Sequence, residues 1–85
     1  MYTVYGQPNC SYCDRAEELL EAYYKDYEYI DVRSDPESLQ MFKRHGYATT
    51  PQVFKGDRHI GGYDQLKIHL KGEPVWMKDR IPKDV

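Results

Sequence analysis

Cys10 and Cys13 are the only cysteines in this chain of 85 residues, and two residues separate them. A C-x-x-C pair can bind a metal, form a structural disulfide or act as a redox couple. A finger-type zinc site needs two further ligands, and the three histidines do not show the H-x₃₋₅-H spacing that such sites use. The pair therefore favours redox chemistry, in which two sulfurs alternate between dithiol and disulfide.

The position of Cys10 favours a reactive thiolate. A helical pattern begins at Ser11, so Cys10 is expected at the N-cap, where unpaired N–H groups and the positive end of the helix dipole face its sulfur. Such a position lowers the pKa of a cysteine from about 8.5 to roughly 3.5–7.5. Cys13 follows on the same helical face and can attack a mixed disulfide formed at Cys10. We therefore expect Cys10 to be the nucleophile and Cys13 the resolving thiol.

The composition describes one small domain with no strong charge bias. Twelve basic and fourteen acidic residues give a net charge of -2, and the absence of a basic block argues against nucleic acid as the main partner. The chain has neither a secretory signal pattern at its start nor a run approaching the roughly 20 apolar residues of a membrane span. We therefore expect a cytoplasmic protein without a membrane partner, in a compartment where lasting structural disulfides are rare.

The first part of the chain predicts a βαβ unit. Alternating β-forming residues predict a strand at Tyr2–Tyr5, and apolar residues at helical spacing predict a helix from Ser11 to about Tyr24. Residues 27–32 predict a second strand. Two strands joined by one helix are expected to be parallel, with a right-handed crossover.

The remaining elements are predicted from their start and stop signals. Ser34 can cap a second helix, which would end at Gly46. A β-hairpin is expected over residues 52–62 and a short helix over residues 63–70, with its two leucines facing inward. Residues 72–85 show no clean period and contain two prolines. We expect an irregular tail there.

The order of these motifs resembles the glutaredoxins, which are small dithiol proteins of the thioredoxin-like fold. The resemblance rests on a first strand, then CSYCDRAEELL, then TTPQVFKGDRHIGGYDQL, and it extends from about Tyr2 to Leu70. It implies an α/β fold in which a mixed four-stranded sheet is flanked by three helices, over residues 1–71. It also implies a thiol–disulfide oxidoreductase with Cys10 and Cys13 as the catalytic pair.

The resemblance further implies a binding site for glutathione and disulfide substrates. It places a cis peptide bond between Thr50 and Pro51, where the Thr50 backbone would pair with a cysteinyl substrate. The turn before the last helix would hold the γ-glutamyl end of glutathione, with N–H donors from Asp64 and Gln65 and the Asp64 carboxylate near the ligand's ammonium group. The implied binding residues are Tyr12, Thr49, Thr50, Pro51, Gly61, Gly62, Asp64 and Gln65.

Four positions depart from the family pattern. Ser11 stands where many dithiol members have proline, and Thr50 replaces a common valine. Gln7 and Ala48 occupy positions where a lysine and a basic residue are usual, so two positive contacts to the glycine carboxylate of glutathione are missing. The candidates to replace those charges are Arg33, Lys43 and Arg44.

We therefore expect a monomeric glutathione-dependent thiol–disulfide oxidoreductase without a metal, which reduces protein disulfides or glutathione mixed disulfides. Its small size would suit an electron donor to ribonucleotide reductase, by analogy only. The missing charges favour a second interpretation, a glutaredoxin-like thioredoxin recycled by thioredoxin reductase. A third is an iron–sulfur carrier, in which Cys10 of two subunits and two glutathione molecules hold a [2Fe–2S] cluster.

Overall fold

The predicted α/β fold, with four strands and three helices, is confirmed by a computed structural model that describes residues 1–72. The predicted irregular tail lies outside the described residues, apart from Gly72. Within residues 1–72, no helix has the length and apolar character needed to cross a bilayer. The elements are β1 (Tyr2–Gly6), α1 (Ser11–Ala22), β2 (Tyr27–Asp31), a 3₁₀ turn (Val32–Ser34), α2 (Pro36–His45), β3 (Gln52–Lys55), β4 (Arg58–Gly61) and α3 (Tyr63–Lys71).

The sheet topology brings two distant loops together. The strand order is β2-β1-β3-β4, with β1 parallel to β2 and antiparallel to β3. Because β1 and β3 run in opposite directions, the end of β1 lies beside the start of β3, where Tyr5 pairs with Gln52. The loop that follows β1 carries Cys10, and the loop that precedes β3 carries Thr50 and Pro51. Both loops therefore meet at one end of the sheet.

The two faces of the sheet are covered by different helices. Side chains alternate along β1, so Val4 is buried on the face that α1 and α3 cover, while Tyr5 points to the opposite face. On that opposite face, Phe42 of α2 packs its ring edge against Tyr5 with centroids 6.2 Å apart. The core between the sheet and helices α1 and α3 consists of Tyr2, Val4, Ala16, Leu20, Val53, Leu66 and Leu70. The predicted inward orientation of the two leucines of α3 is thus confirmed.

The start of α2 differs from the prediction. Ser34 was expected to cap this helix, but it lies in the 3₁₀ turn, and Asp35 is the N-cap. The physical reason is that the Ser34 hydroxyl donates a hydrogen bond to the Asp31 carboxylate at 3.4 Å, so it is held away from the first turn of α2. The predicted end at Gly46 is confirmed, since this residue has the left-handed φ of 72° that terminates many helices.

Candidate active site

Cys10 and Cys13 form a disulfide at the N-terminal end of α1. Cys10 is the N-cap of this helix, as predicted, and its Sγ accepts a hydrogen bond from the Cys13 N–H at 3.1 Å. The helix dipole and this N–H would both favour negative charge on Cys10 when the disulfide opens. Within residues 1–72, no group of three or more histidine, cysteine or acidic side chains could hold a metal ion. The described part of one chain therefore offers the sulfur pair no further metal ligands.

The two sulfurs differ in their access to solvent. Cys10 is partly exposed, whereas Cys13 is completely buried, with 0% relative exposure. A disulfide substrate must bring one of its sulfur atoms into line with the attacking thiolate, which requires an open approach. Cys10 has such an approach, and Cys13 can react only with a sulfur already bound at Cys10. This is the order of attack that the predicted roles require.

The burial of Cys13 depends on a close approach to strands β1 and β2. A Cβ atom added to Gly6 would lie 3.0 Å from the Cys13 sulfur and 2.4 Å from the Tyr29 hydroxyl oxygen. Burial, reinforced by nearby carboxylates that include Glu17, raises the pKa of Tyr29 above its usual value. That hydroxyl donates to the Gln7 carbonyl at 3.4 Å. Gly6 and Tyr29 were not predicted as site residues, because Gly6 marked only a strand end in the sequence.

The loop before β3 contacts the exposed sulfur. The Thr50–Pro51 peptide bond is cis, which confirms what the family resemblance implied. The Thr50 hydroxyl donates a hydrogen bond to Cys10 Sγ at 3.5 Å, and the Thr50 carbonyl oxygen lies 3.8 Å from the same sulfur. Valine, the common residue at this position in the family that the sequence resembles, has no hydroxyl group and could not donate this hydrogen bond. Thr50 therefore adds a polar contact to the sulfur atom that is expected to attack.

One groove beside the disulfide gathers nearly all of the predicted binding residues. This α3 groove has a volume of about 330 Å³. It also contains Tyr63, which sequence reasoning missed and whose ring lies 5.7 Å from that of Tyr12. Gly61 is the exception and does not line the groove. It is buried, and a Cβ there would meet the Gln65 side chain at 2.9 Å, so Gly61 shapes the turn instead. The residues lining the α3 groove are Tyr12, Thr49, Thr50, Pro51, Gly62, Tyr63, Asp64 and Gln65.

The start of α3 gives this groove an anion-binding character. The N-cap is Gly62, which has no side chain to occupy the first N–H groups of the helix. The Gln65 side chain accepts a hydrogen bond from the Gly62 N–H at 3.0 Å and so fixes the turn. Unpaired N–H groups at a helix start, together with the helix dipole, favour a carboxylate or phosphate. The exposed Asp64 carboxylate adds a negative group at the same place.

A second groove lies on the other side of the Thr49–Thr50 segment and is basic. This α2 groove has a volume of about 240 Å³. Of the three candidate cations, Arg33 and Lys43 line it, whereas Arg44 lines a separate cavity that also contains two carboxylates. Arg33 and Lys43 are thus placed where they could replace the missing charges, and Arg44 is not, a distinction that the sequence could not make. The residues lining the α2 groove are Gln7, Val32, Arg33, Leu39, Phe42, Lys43, Tyr47, Ala48, Thr49 and Thr50.

Comparisons with known proteins agree with this geometry. The glutaredoxin family model matches residues 2–60. Glutaredoxin 1 of Salmonella typhimurium is 38% identical over 80 residues, which cover 84% of this chain and 92% of that protein. The family-model match extends across the cysteine pair, the cis peptide bond and most of the hairpin.

Solved structures with the same fold include both glutathione-bound and thioredoxin-like proteins. The glutaredoxin-like protein NrdH-redoxin from Escherichia coli, which has a thioredoxin-like activity profile, has a TM-score of 0.72 and 26% identity, covering 86% of this chain and 95% of that chain. A buckwheat glutaredoxin–glutathione complex has a TM-score of 0.71 and 31% identity, covering 93% of this chain and 76% of that chain. The chain belongs to the glutaredoxin family, whose members are thiol–disulfide oxidoreductases.

Proposed function

We propose that this protein reduces disulfides with glutathione as its reductant. The observation that carries the proposal is a pair of grooves that share Thr49 and Thr50 in their linings, with Thr50 in contact with Cys10 Sγ. Glutathione has a cysteine between a γ-glutamyl group, which bears an ammonium and a carboxylate, and a glycine carboxylate. A ligand with charges at both ends and a sulfur between them fits two polar grooves joined at the residue that contacts the reactive sulfur.

The reaction is a sequence of thiol–disulfide exchanges. In the reduced protein, the Cys10 thiolate attacks a substrate disulfide, and one substrate sulfur leaves as a thiolate. Cys13 then attacks Cys10 in this mixed disulfide, which releases the second substrate sulfur and forms the intramolecular disulfide present in the structure. One glutathione thiolate reopens that disulfide by attack at Cys10, and a second removes the bound glutathione as glutathione disulfide. The protein returns to the dithiol, and two glutathione molecules have supplied the two electrons.

The α3 groove suits the γ-glutamyl end of glutathione. Its carboxylate would accept hydrogen bonds from the first N–H groups of α3, beyond the Gly62 N-cap. Its ammonium group would pair with the exposed Asp64 carboxylate. The cysteine of the ligand would then lie against Thr50, beside Cys10 Sγ. This arrangement uses the extended backbone pairing by which many proteins bind peptides.

The α2 groove suits the glycine carboxylate at the other end of glutathione. Gln7 and Ala48 line this groove but provide no positive charge. Arg33 and Lys43 line the same groove and are exposed, so they can replace both of the missing charges. This placement supports glutathione as a ligand despite the departures from the family pattern.

Matched charge variants test this assignment. In the double variant Arg33→Gln/Lys43→Gln, the glutathione concentration that gives half-maximal reduction should rise roughly two- to thirty-fold, as expected from the loss of two exposed ion pairs. The single variant Lys43→Gln is compared with the control Arg44→Gln, which also removes one positive charge from α2 but lies outside the groove. An equal effect of the control would show that net charge, and not the groove, determines the response.

The identity of the reductant can be tested directly with the oxidised protein. The protein is offered either glutathione or NADPH with thioredoxin reductase, and free thiols are counted over time. We expect glutathione to restore both thiols and thioredoxin reductase to restore few. The opposite result would contradict glutathione dependence. The reduced protein can then be offered oxidised ribonucleotide reductase, the substrate suggested by analogy with small family members.

A second candidate function is thioredoxin-like reduction, with thioredoxin reductase as the electron source. Two observations favour it: the similarity to NrdH-redoxin, which has a thioredoxin-like activity profile, and the neutral residues Gln7 and Ala48. The α3 groove and the two cations of the α2 groove favour glutathione instead. The reductant experiment separates the two candidates, because each requires a different reductant to restore the thiols.

A further inference from the structure

A chain of hydrogen bonds connects the edge of the sheet to the substrate-binding loop. Gln52 is only 8% exposed, and its side-chain Nε2 donates a hydrogen bond to the Thr49 carbonyl at 3.1 Å. The other end of the same amide, Oε1, lies 2.7 Å from His59 Nε2. Because the amide nitrogen faces Thr49, the oxygen faces His59, and His59 Nε2 must carry the proton and donate. Both polar ends of a buried side chain are therefore satisfied.

The loop at the end of this chain has little other support. The pairing of β3 with β1 begins at Gln52, so Thr49 and Thr50 lie beyond the ladder. Among residues 1–72, no backbone–backbone hydrogen bond outside the helices and strands involves Thr49 or Thr50. Yet these two residues line both grooves, and Thr50 contacts Cys10 Sγ. The Gln52 amide is thus the hydrogen-bonded tie between this loop and the sheet.

His59 is itself held in place by aromatic rings. It pairs with Phe54 across the β3–β4 hairpin, with ring centroids 4.9 Å apart, and it stacks on Tyr47 at 4.7 Å. These contacts fix the direction in which Nε2 points and lower the entropy cost of the hydrogen bond to Gln52. The hairpin thereby presents a fixed donor to a side chain that is bonded to the loop.

We propose that Gln52 and His59 are positioning residues, which hold the Thr49–Thr50 segment in the conformation that pairs with a peptide disulfide. They touch neither the sulfur atoms nor either groove. They act through Thr49, whose carbonyl they anchor, and so determine how the two grooves are aligned with Cys10. The inference rests on disulfide exchange at Cys10 and does not depend on which reductant restores the dithiol.

Two substitutions at His59 separate the hydrogen bond from the ring contacts. His59→Phe keeps a flat ring between Tyr47 and Phe54 but removes the Nε2 donor. His59→Gln loses the ring but retains a nitrogen donor at a similar reach. His45→Phe is a matched control, since His45 also stacks on Tyr47, at 5.4 Å, while no hydrogen bond within residues 1–72 joins it to the loop.

The assay compares two disulfides at limiting concentration with the reduced protein. The first probe is the disulfide-linked dimer of an acetylated Ala-Cys-Ala tripeptide, which needs the loop for backbone pairing. The second is bis(2-hydroxyethyl) disulfide, which has no peptide backbone to pair. His59→Phe should slow reduction of the peptide roughly two- to ten-fold, the effect of one hydrogen bond, and slow reduction of the small disulfide less. His59→Gln should restore the peptide rate, and His45→Phe should match the wild type.

Other results would overturn the inference. A His59→Phe variant that matches the wild type on the peptide, or that slows both probes in parallel, would show that the hydrogen bond does not position the loop. Failure of His59→Gln to restore any of the rate would show that a donor at residue 59 is not what holds the loop. Gln52→Met, which keeps the length of the side chain without its polar atoms, should reproduce His59→Phe. A wild-type protein that reduces neither probe would overturn the proposed function as well, whereas an active wild type with the wrong variant pattern would overturn this inference alone.

Discussion

Cys10 and Cys13 lie at the start of one helix, as its N-cap and in its first turn, yet their surroundings have opposite properties. The Cys10 sulfur is partly exposed and receives hydrogen bonds from the Cys13 N–H and the Thr50 hydroxyl. The Cys13 sulfur is fully buried beside Gly6 and Tyr29. Donors stabilise a thiolate, whereas burial destabilises it. The comparison teaches that the helix positions both sulfurs, while their other neighbours determine their access. The loop with Thr50 contacts the exposed Cys10 sulfur, and strand β1 helps to bury the Cys13 sulfur.

Loss of the exposed sulfur should have the largest effect. The variant Cys10→Ser should show no measurable disulfide reduction, because Cys13 has no open approach to an external disulfide. The measurement is turnover with glutathione, a glutathione mixed disulfide and NADPH-coupled glutathione reductase. Turnover close to that of the wild type would show that the buried sulfur can attack on its own, and the distinction between the two cysteines would fail.

Loss of the buried sulfur should have a selective effect. Cys13→Ser removes the resolving thiol but leaves Cys10 exposed and hydrogen-bonded to Thr50. The variant should still exchange glutathione with small mixed disulfides, a reaction that needs one protein thiol, and should lose most of its reduction of protein disulfides. The two substrate types are compared at equal enzyme concentration. Equal loss on both would contradict a role confined to resolution.

The space around the buried sulfur can be altered without changing the sulfur. Gly6→Ala would place a Cβ 3.0 Å from the Cys13 sulfur and 2.8 Å from the ring of Tyr29. Overpacking of this kind costs about 1–3 kcal/mol of unfolding free energy, which urea denaturation of the oxidised protein would measure. Gly72→Ala is the control, because a Cβ there meets only ordinary contacts at 3.7 Å or more. Equal stability of the two variants would mean that β1 does not confine Cys13.

The features that were predictable from the sequence are local ones. The N-cap position of Cys10 and the end of α2 at Gly46 depend on residues within one turn, and both are confirmed. The mixed four-stranded sheet and the cis bond before Pro51 came from the family resemblance, since no local pattern specifies them. Cluster binding by two subunits and the monomeric state stay predictions.

The features that escaped prediction join residues from different elements. The Cys13 environment depends on Gly6 and Tyr29, which come from strands on either side of α1 in the sequence. Lys43 and Arg44 are adjacent, but successive helical residues point about 100° apart, so only Lys43 lines the α2 groove. A sequence gives the spacing of such residues but not the rotation of the helix against the sheet.

The smallest expected effect concerns the hydroxyl that contacts the exposed sulfur. Thr50→Val keeps the shape of the side chain but removes the donor to Cys10 Sγ. A hydrogen bond to the thiolate favours the charged form and lowers the pKa of the thiol, so the variant should have the higher pKa. Alkylation of the reduced protein by iodoacetamide, followed across pH, should shift toward higher pH and slow roughly two- to ten-fold below the transition, the effect of one hydrogen bond. Thr50→Ser retains the hydroxyl and should follow the wild type. If all three proteins gave the same alkylation profile, the Thr50 hydroxyl would not affect the reactivity of Cys10. The hydrogen bond from the Cys13 N–H at the helix start would then be the polar contact that distinguishes Cys10 from Cys13, and Thr50 would serve only to shape the grooves.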